Sequence, residues 1–360
     1  MDLLKQTIES IRLPDGHTER EAAQYLDTLT KPPGSLGRLE EVAVRLAGIT
    51  GELAPSLAKK AVVVMAADHG VCAEGVSAFP QEVTAQMVMN FLNGGAAINV
   101  LARRAGADVI CVDVGVDADL RHERLIVRKI LRGTGNIARG PAMDREEAVR
   151  AVECGIEVAG MLADQGYRLL ATGEMGIGNT TASAACFAAF CGLDAAEAVG
   201  RGTGVDDEGL RRKQEAVARA IAVNAPDARD PLDVLSKLGG LEIAGLAGVI
   251  LGAAARRLPV VIDGFISSVA ALAASRLAPQ ALAYCFASHL SAERGHKRLL
   301  EHLGLKPMLD LEMRLGEGTG AALAFPILDA AVSIMKEMAT FDSAGVSRGQ
   351  GEPLAAPLTA

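Results

Sequence analysis

Short apolar runs separated by long amphipathic stretches set the pattern of this chain. Ala61 to Ala66 (Ala-Val-Val-Val-Met-Ala) is an unbroken β-branched run, which reads as a strand buried on both faces. Ala107 to Val114, Tyr167 to Thr172, Pro259 to Asp263 and Ala281 to Ala287 repeat the form. Helices are predicted at 82–104, 145–165, from about Thr180, 206–222, 240–257, Gly264 to Arg276 and after Ser291. Residues 2–12 and 18–29 read as short helices, and Lys31-Pro32-Pro33-Gly34-Ser35-Leu36-Gly37 as a loop, because paired prolines and glycines stop a helix. Leu309, Leu311, Met313 and Leu315 alternate with Asp310, Glu312 and Arg314. That is the period-two mark of a strand with one buried face, and a helix is predicted from about Thr319.

Apolar strands alternating with long helices predict a three-layer α/β domain with a mostly parallel sheet. Ligands bind such sheets beyond the C-terminal ends of the strands, where Asp68 and His69, Asp113, Glu174, Asp263, Ser288, Ser291 and Glu317 all fall. The helical ends of the chain lie outside the alternation and are read as a small second lobe.

Composition narrows the partners. Half the residues are hydrophobic but only 3% are aromatic, with no Trp, so Ala, Leu, Val and Gly do the packing. A net charge of −8 argues against nucleic acid or an anionic membrane as the main partner. The six cysteines form no CxxC pair and have no zinc-like spacing, which points to a reducing compartment. The amphipathic N-terminus lacks a signal-peptide core, and no apolar run reaches membrane-span length without charge or Gly interruptions. A soluble cytoplasmic protein is expected.

The same alternation, carried past Leu315, puts Glu317 on the apolar side. A carboxylate there loses hydration, its pKa rises, and it becomes a good general base. Gly316, Gly318 and Gly320 leave room for a flat ligand, so Glu317 is read as taking a proton from a planar aromatic substrate. A loop Glu in water, with Gly316 breaking the alternation, is the other reading.

Thr172 to Thr181 (Thr-Gly-Glu-Met-Gly-Ile-Gly-Asn-Thr-Thr) follows a strand and opens a helix. Gly176, Ile177 and Gly178 can turn backbone N–H groups towards an anion, at the positive end of a helix, beside Asn179 and Thr180. The loop lacks both a Walker ending and the third dinucleotide glycine, so a single phosphate suits it. An ordinary Gly turn with an N-cap is the plain alternative. Gly202-Thr203-Gly204 is a second such turn, with Lys213 beyond it as a phosphate cation or a solvated face residue.

Asp263 ends a buried strand and reads as an acceptor for ribose hydroxyls, or as a cap for the next helix. Phosphoribosyltransferases that use magnesium pyrophosphate end such a strand in two adjacent acids; none does so here, so no magnesium is expected. Asp68-His69 suggests a metal or a catalytic His, but no second His lies at ligand spacing, and no metal or cofactor is expected. His289 and His296, seven apart, would share a helix face. Phe79 reads as a pocket or core ring.

Five motifs occur in order: Lys31 to Gly37, Ala66-Ala67-Asp68-His69-Gly70-Val71, Gly173 to Thr181, Gly202 to Gly204, and Gly316-Glu317-Gly318-Thr319-Gly320. In them the chain, over about residues 5–345, resembles the nicotinate-nucleotide–dimethylbenzimidazole phosphoribosyltransferase family of cobalamin biosynthesis, with no departure at the motif positions. The resemblance implies transfer of 5-phosphoribose from nicotinate mononucleotide to 5,6-dimethylbenzimidazole, with Glu317 as base and Glu174 beside the reacting ribose. It implies Gly176 and Gly178 on the phosphate, with Lys213 contributing from the other subunit, and Gly202 to Gly204, Gly264 and Ser291 on the nucleotide. Phe79, Gln86, Met175 and Leu315 would form the benzimidazole pocket.

The implied fold is a Rossmann-like α/β domain at 30–328, a small helical domain from 1–29 plus 329–350, and a flexible tail at 351–360, assembled as a homodimer. Transfer to another base (adenine, another benzimidazole or a phenol) stays open. So do a nicotinamide-cofactor dehydrogenase, disfavoured by the missing third Gly, and a non-catalytic nucleotide-binding module, disfavoured by a buried Glu317.

Overall fold

The computed structural model describes residues 2–202 and 204–347. Six strands form one sheet: β1 (Lys60–Ala67), β2 (Ala107–Gly115), β3 (Ile126–Val127), β4 (Leu169–Met175), β5 (Val260–Ile262) and β6 (Cys285–Ala287). Their order is β3-β2-β1-β4-β5-β6, and every pairing is parallel. All eight residues of β1 are buried, as its unbroken apolar run requires. The chain runs outward from β1 to β2 on one side and from β4 to β5 on the other. Right-handed crossovers therefore carry helices to both faces, and the switch point falls between β1 and β4. This is the Rossmann-like α/β architecture that the alternation predicts.

The low aromatic content has a structural counterpart. Helix Arg145–Asp164 packs along helix Leu241–Ala255. A Cβ at Gly155 would collide with the carbonyl of Gly245, and one at Gly248 with the carbonyl of Val152. Backbone therefore lies against backbone, leaving no room for large side chains.

Some predicted elements change form. The stretch 82–104 is two helices, Val83–Leu92 and Ala97–Arg104, because Gly94 at φ +79 breaks it. Ala281–Ala287 is a strand only from Cys285; a 3-10 turn, Pro279–Tyr284, precedes it. Helices Arg38–Thr50 and Pro231–Leu238 and the two-residue β3 are additions to the elements that the sequence predicts. The alternating run 309–315 is not a sheet strand. Its backbone instead follows the loop after β6: Leu290 N–H donates to Leu309 O at 2.8 Å, and Ala292 N–H to Met313 O at 2.9 Å. With no sheet neighbour to cover them, Leu311 and Leu315 stay 54% and 58% exposed.

The chain divides into two compact units with bounds other than those expected. One comprises the segment ending at Arg12 and Ala58–Ala324; it holds the whole sheet and the first helix, Asp2–Ser10. The other comprises Leu13–Leu57 and the segment from Phe325. In it, helix Gly16–Thr28 packs on helix Arg38–Thr50, Thr30 N–H donates to Ala339 O at 3.0 Å, and Lys31 Nζ pairs with Glu40 at 2.8 Å. The expected tail, 351–360, lies outside the described residues. Helix Thr319–Glu337 is long and apolar enough to cross a membrane by length and composition, although Gly320, Asp329 and Lys336 interrupt its apolar run. Its residues Ala321, Ala322, Ala324, Phe325, Leu328 and Ala331 are buried, as in a core helix.

Candidate active site

A cavity of about 600 Å³ opens beyond the C-terminal ends of β4 and β5 and the loop after β6. Its wall includes Glu174, Met175, Gly176, Ile177 and Asn179 from the end of β4 and the turn after it. Asp263 and Gly264 follow β5, and Ser291, Leu315 and Glu317 come from the loops beyond β6. Phe79 and Leu315, 52% and 58% exposed, give the cavity an apolar edge.

Glu317 is buried, for a reason other than the predicted strand. Gly316, Glu317 and Gly318 all have positive φ (+83, +64 and +91), so the chain makes a tight turn that aims the carboxylate inward. A non-glycine residue in this region carries backbone strain, held here by its surroundings. Glu317 Oε2 accepts from Ile98 N–H at 3.4 Å, at the start of helix Ala97–Arg104. Burial raises its carboxyl above the ordinary range, against the opposing pull of that N–H.

Glu174 stands beside this turn. A Cβ at Gly316 would collide with Glu174 Oε1, and the nearby Glu317 N–H favours the charged form of the Glu174 carboxyl. The Asn179 amide donates to its other oxygen. Burial, with repulsion from Asp263 and Glu242 adding to it, pushes the Glu174 carboxyl up to about 8.

Asp263 does not cap the helix after its own strand. Its Oδ2 accepts from Gly318 N–H at 3.1 Å and its Oδ1 from Ala321 N–H at 3.0 Å, so it caps helix Thr319–Glu337 and ties the Glu317 turn to the end of β5. Burial pushes it up to about 7 against these donors. Each oxygen takes a backbone N–H and Asp263 also lines the cavity, so of its two readings the cap is the one seen, on a helix other than the one after its strand.

The Gly176 loop is pinned from below. Ile177 N–H donates to Thr84 Oγ1 at 3.0 Å, so this amide is already engaged. Gly178, at φ +95, is the N-cap of helix Asn179–Cys191 and packs on Cys72 and His69. The N–H groups of Gly178 and Thr180 meet no acceptor among the described residues and remain free for an anion. Lys213, 1% exposed, reaches Thr180 Oγ1 at 2.9 Å in its own chain, and a Cβ at Gly202 would lie 2.7 Å from its Nζ. Burial pulls this amine down to about 8, while Glu293 opposes.

Gln86 is exposed and outside the cavity lining; Val83 and Met87, one helical turn apart, line it instead. Gly204 lies near Arg314, and Thr203 lies outside the described residues. His289 and His296 do not share a helix face, since the helix begins at His296, although their rings are 6.2 Å apart. His69 is sealed beneath Gly176 against Glu242, Nε2 to Oε1 2.7 Å. Among the described residues no cluster of three or more His, Cys, Asp or Glu is arranged to hold a metal ion.

Sequence reasoning misses Arg314, which lines the cavity and donates to Gly202 O at 2.9 Å, and His289 and Glu293 in the wall. Alternation puts Arg314 on the wet side of a strand, and the i, i+4 spacing of Val83 and Met87 is the one signal for that part of the wall.

The chain matches a family model described as phosphoribosyltransferase over residues 11–346. It is 59% identical to the nicotinate-nucleotide–dimethylbenzimidazole phosphoribosyltransferase of Chloroflexus aggregans, covering 96% of this chain and 99% of that one. It is 56% identical to the enzyme of the same name from Geobacter metallireducens, over 98% of this chain and 100% of that one. The crystal structure of the Thermus thermophilus enzyme superimposes with a TM-score of 0.88 at 53% identity, covering 93% of this chain and all of that one.

Proposed function

The chain belongs to the nicotinate-nucleotide–dimethylbenzimidazole phosphoribosyltransferase family, and from that membership we propose how its cavity divides the work. The enzyme moves 5-phosphoribose from nicotinate mononucleotide to 5,6-dimethylbenzimidazole in cobalamin biosynthesis, with inversion at C1′. The relatives' shared name does not favour the alternatives of another acceptor base or a non-catalytic module.

The benzimidazole lies at the apolar edge of Phe79, Met175 and Leu315, with Val83 and Met87 beside them. Its ring N–H faces Glu317. As the other ring nitrogen forms its bond to C1′, Glu317 accepts the N–H proton, and the C1′–nitrogen bond of the donor breaks with its electron pair passing to the pyridinium ring. Nicotinate leaves as a stable aromatic ring and needs no general acid. The donor phosphate takes the free N–H groups of the Gly178 turn, with Lys213 and Arg314 nearby as cations. Glu174, Gly264 and Ser291 bound the ribose.

The observation that carries this reading is Glu317, a buried carboxyl with a raised pKa on the wall of a cavity with an aromatic-sized apolar edge. Such a group draws a proton more strongly than a solvated carboxylate does. A homodimer in the cytoplasm completes the proposal; the free cysteines, four of them buried, suit a reducing compartment. The purified protein, given nicotinate mononucleotide with and without 5,6-dimethylbenzimidazole, is expected to release nicotinate only with the acceptor and to yield the α-riboside phosphate. Release that does not need an acceptor would contradict the transfer.

A further inference from the structure

His289 lines the cavity, is 2% exposed, and has no assignment in the reading above. Its proton can be located by counting donors. Ser288 has a single O–H, which donates to the Asp263 carbonyl at 3.0 Å. Ser288 Oγ therefore meets His289 Nδ1, 2.9 Å away, as an acceptor, and Nδ1 carries the hydrogen. Asp263 Oδ1, 3.9 Å from Nδ1, reinforces that choice. Burial lowers the pKa of the imidazole, so it is neutral and Nε2 is a bare lone pair.

Nε2 meets no donor among the described residues. The ring is held in place: a Cβ at Gly320 would collide with Nδ1, and one at Gly264 would lie 3.7 Å from Nε2. Gly264 lines the cavity, so the Nε2 edge lies on the β5 side of it. His296 shows the contrasting case. Its Nδ1 accepts Ser291 N–H at 2.8 Å and its Nε2 meets Ser268 Oγ at 2.9 Å, so both nitrogens are used. A neutral acceptor in a cavity wall needs a donor from the ligand. Of the donor nucleotide's parts, the phosphate and the nicotinate carboxylate only accept; the ribose hydroxyls donate.

We infer that His289 Nε2 accepts a hydrogen bond from a ribose hydroxyl of the donor nucleotide, the role the sequence assigns to Asp263. Ser288 and Asp263 then act as positioning residues that fix the tautomer. This rests on the reading of the donor as a ribose nucleotide.

The test is kcat/KM for nicotinate mononucleotide and its 2′-deoxy and 3′-deoxy analogues, in the unmutated enzyme, His289→Phe and His289→Asn. Phenylalanine keeps the ring without the acceptor, and asparagine is too short to reach. In the unmutated enzyme one deoxy analogue is expected to lose about tenfold, and in both variants that same penalty shrinks to about twofold or less. The other hydroxyl's penalty stays as it was. A merely structural role would slow all three substrates alike and leave both penalties intact, which would overturn the inference. Should neither variant fold by thermal melting, the unmutated enzyme still decides: two deoxy analogues that react as well as the parent leave His289 without a hydroxyl partner. No turnover of nicotinate mononucleotide itself would instead overturn the reading of the donor.

Discussion

Three carboxylates meet at one end of the cavity, and their neighbours give each a different task. Asp263 commits both oxygens to backbone N–H groups and holds the turn. Glu174 is bound by the Asn179 amide and lies against the Gly316 turn. Among the described residues Glu317 keeps only the 3.4 Å contact to Ile98 N–H, and it is the one left for chemistry. Period-two counting finds Glu317, but its burial comes from a positive-φ turn between two glycines, which alternation does not report. The spacing of Gly316 and Gly318 is legible in the sequence; the strain at residue 317 is not.

Glu174 also sets a pH dependence. Its carboxyl titrates at 4.5 when solvated and at about 8 in the fold, so the folded state holds the proton more tightly. Its contribution to stability is complete below pH 4.5 and is lost as the pH rises through about 8. Glu174→Gln removes that titration. The ligand-free variant is expected to melt roughly 5 °C or more above the unmutated protein near pH 8.5, with the gap closing near pH 5. A gap independent of pH would show that Glu174 is not the titrating group.

At the scale of elements, the strand–loop–helix unit from Leu169 to Cys191 is legible nearly whole, because an apolar run, glycines and Asn-Thr-Thr each say one thing. The pair Arg145–Asp164 and Leu241–Ala255 reads as two helices, but not as a backbone-close crossing. Gly245, Gly248 and Gly252 have helical spacing and Gly155 sits on the facing helix, yet a glycine in a helix pattern looks only like a weak helix former until its partner is known. Gly248→Val would drive a methyl-bearing carbon into the Val152 carbonyl. A loss of about 3 kcal/mol or more in urea unfolding is expected, the upper end of overpacking, with KM unchanged in the protein that remains folded. A loss under about 1 kcal/mol would mean the two helices can part.

At the scale of the molecule, fold class follows from periodicity, while strand order does not. Six short apolar strands can be arranged in many parallel sheets; the observed order comes from which strands bury which helices. That order puts β4 and β5 side by side and so brings Glu174 and Asp263, 89 positions apart in the chain, to one rim. The cavity is therefore a property of topology, and only its separate motifs are visible in the sequence. The central claim is that Glu317 takes the acceptor's proton there. The most direct measurement is acceptor-dependent nicotinate release by Glu317→Gln, with donor affinity read alongside by calorimetry. A rate lower by about 100-fold or more, at nearly unchanged affinity for nicotinate mononucleotide, is the predicted result. Turnover at the unmutated rate would contradict it.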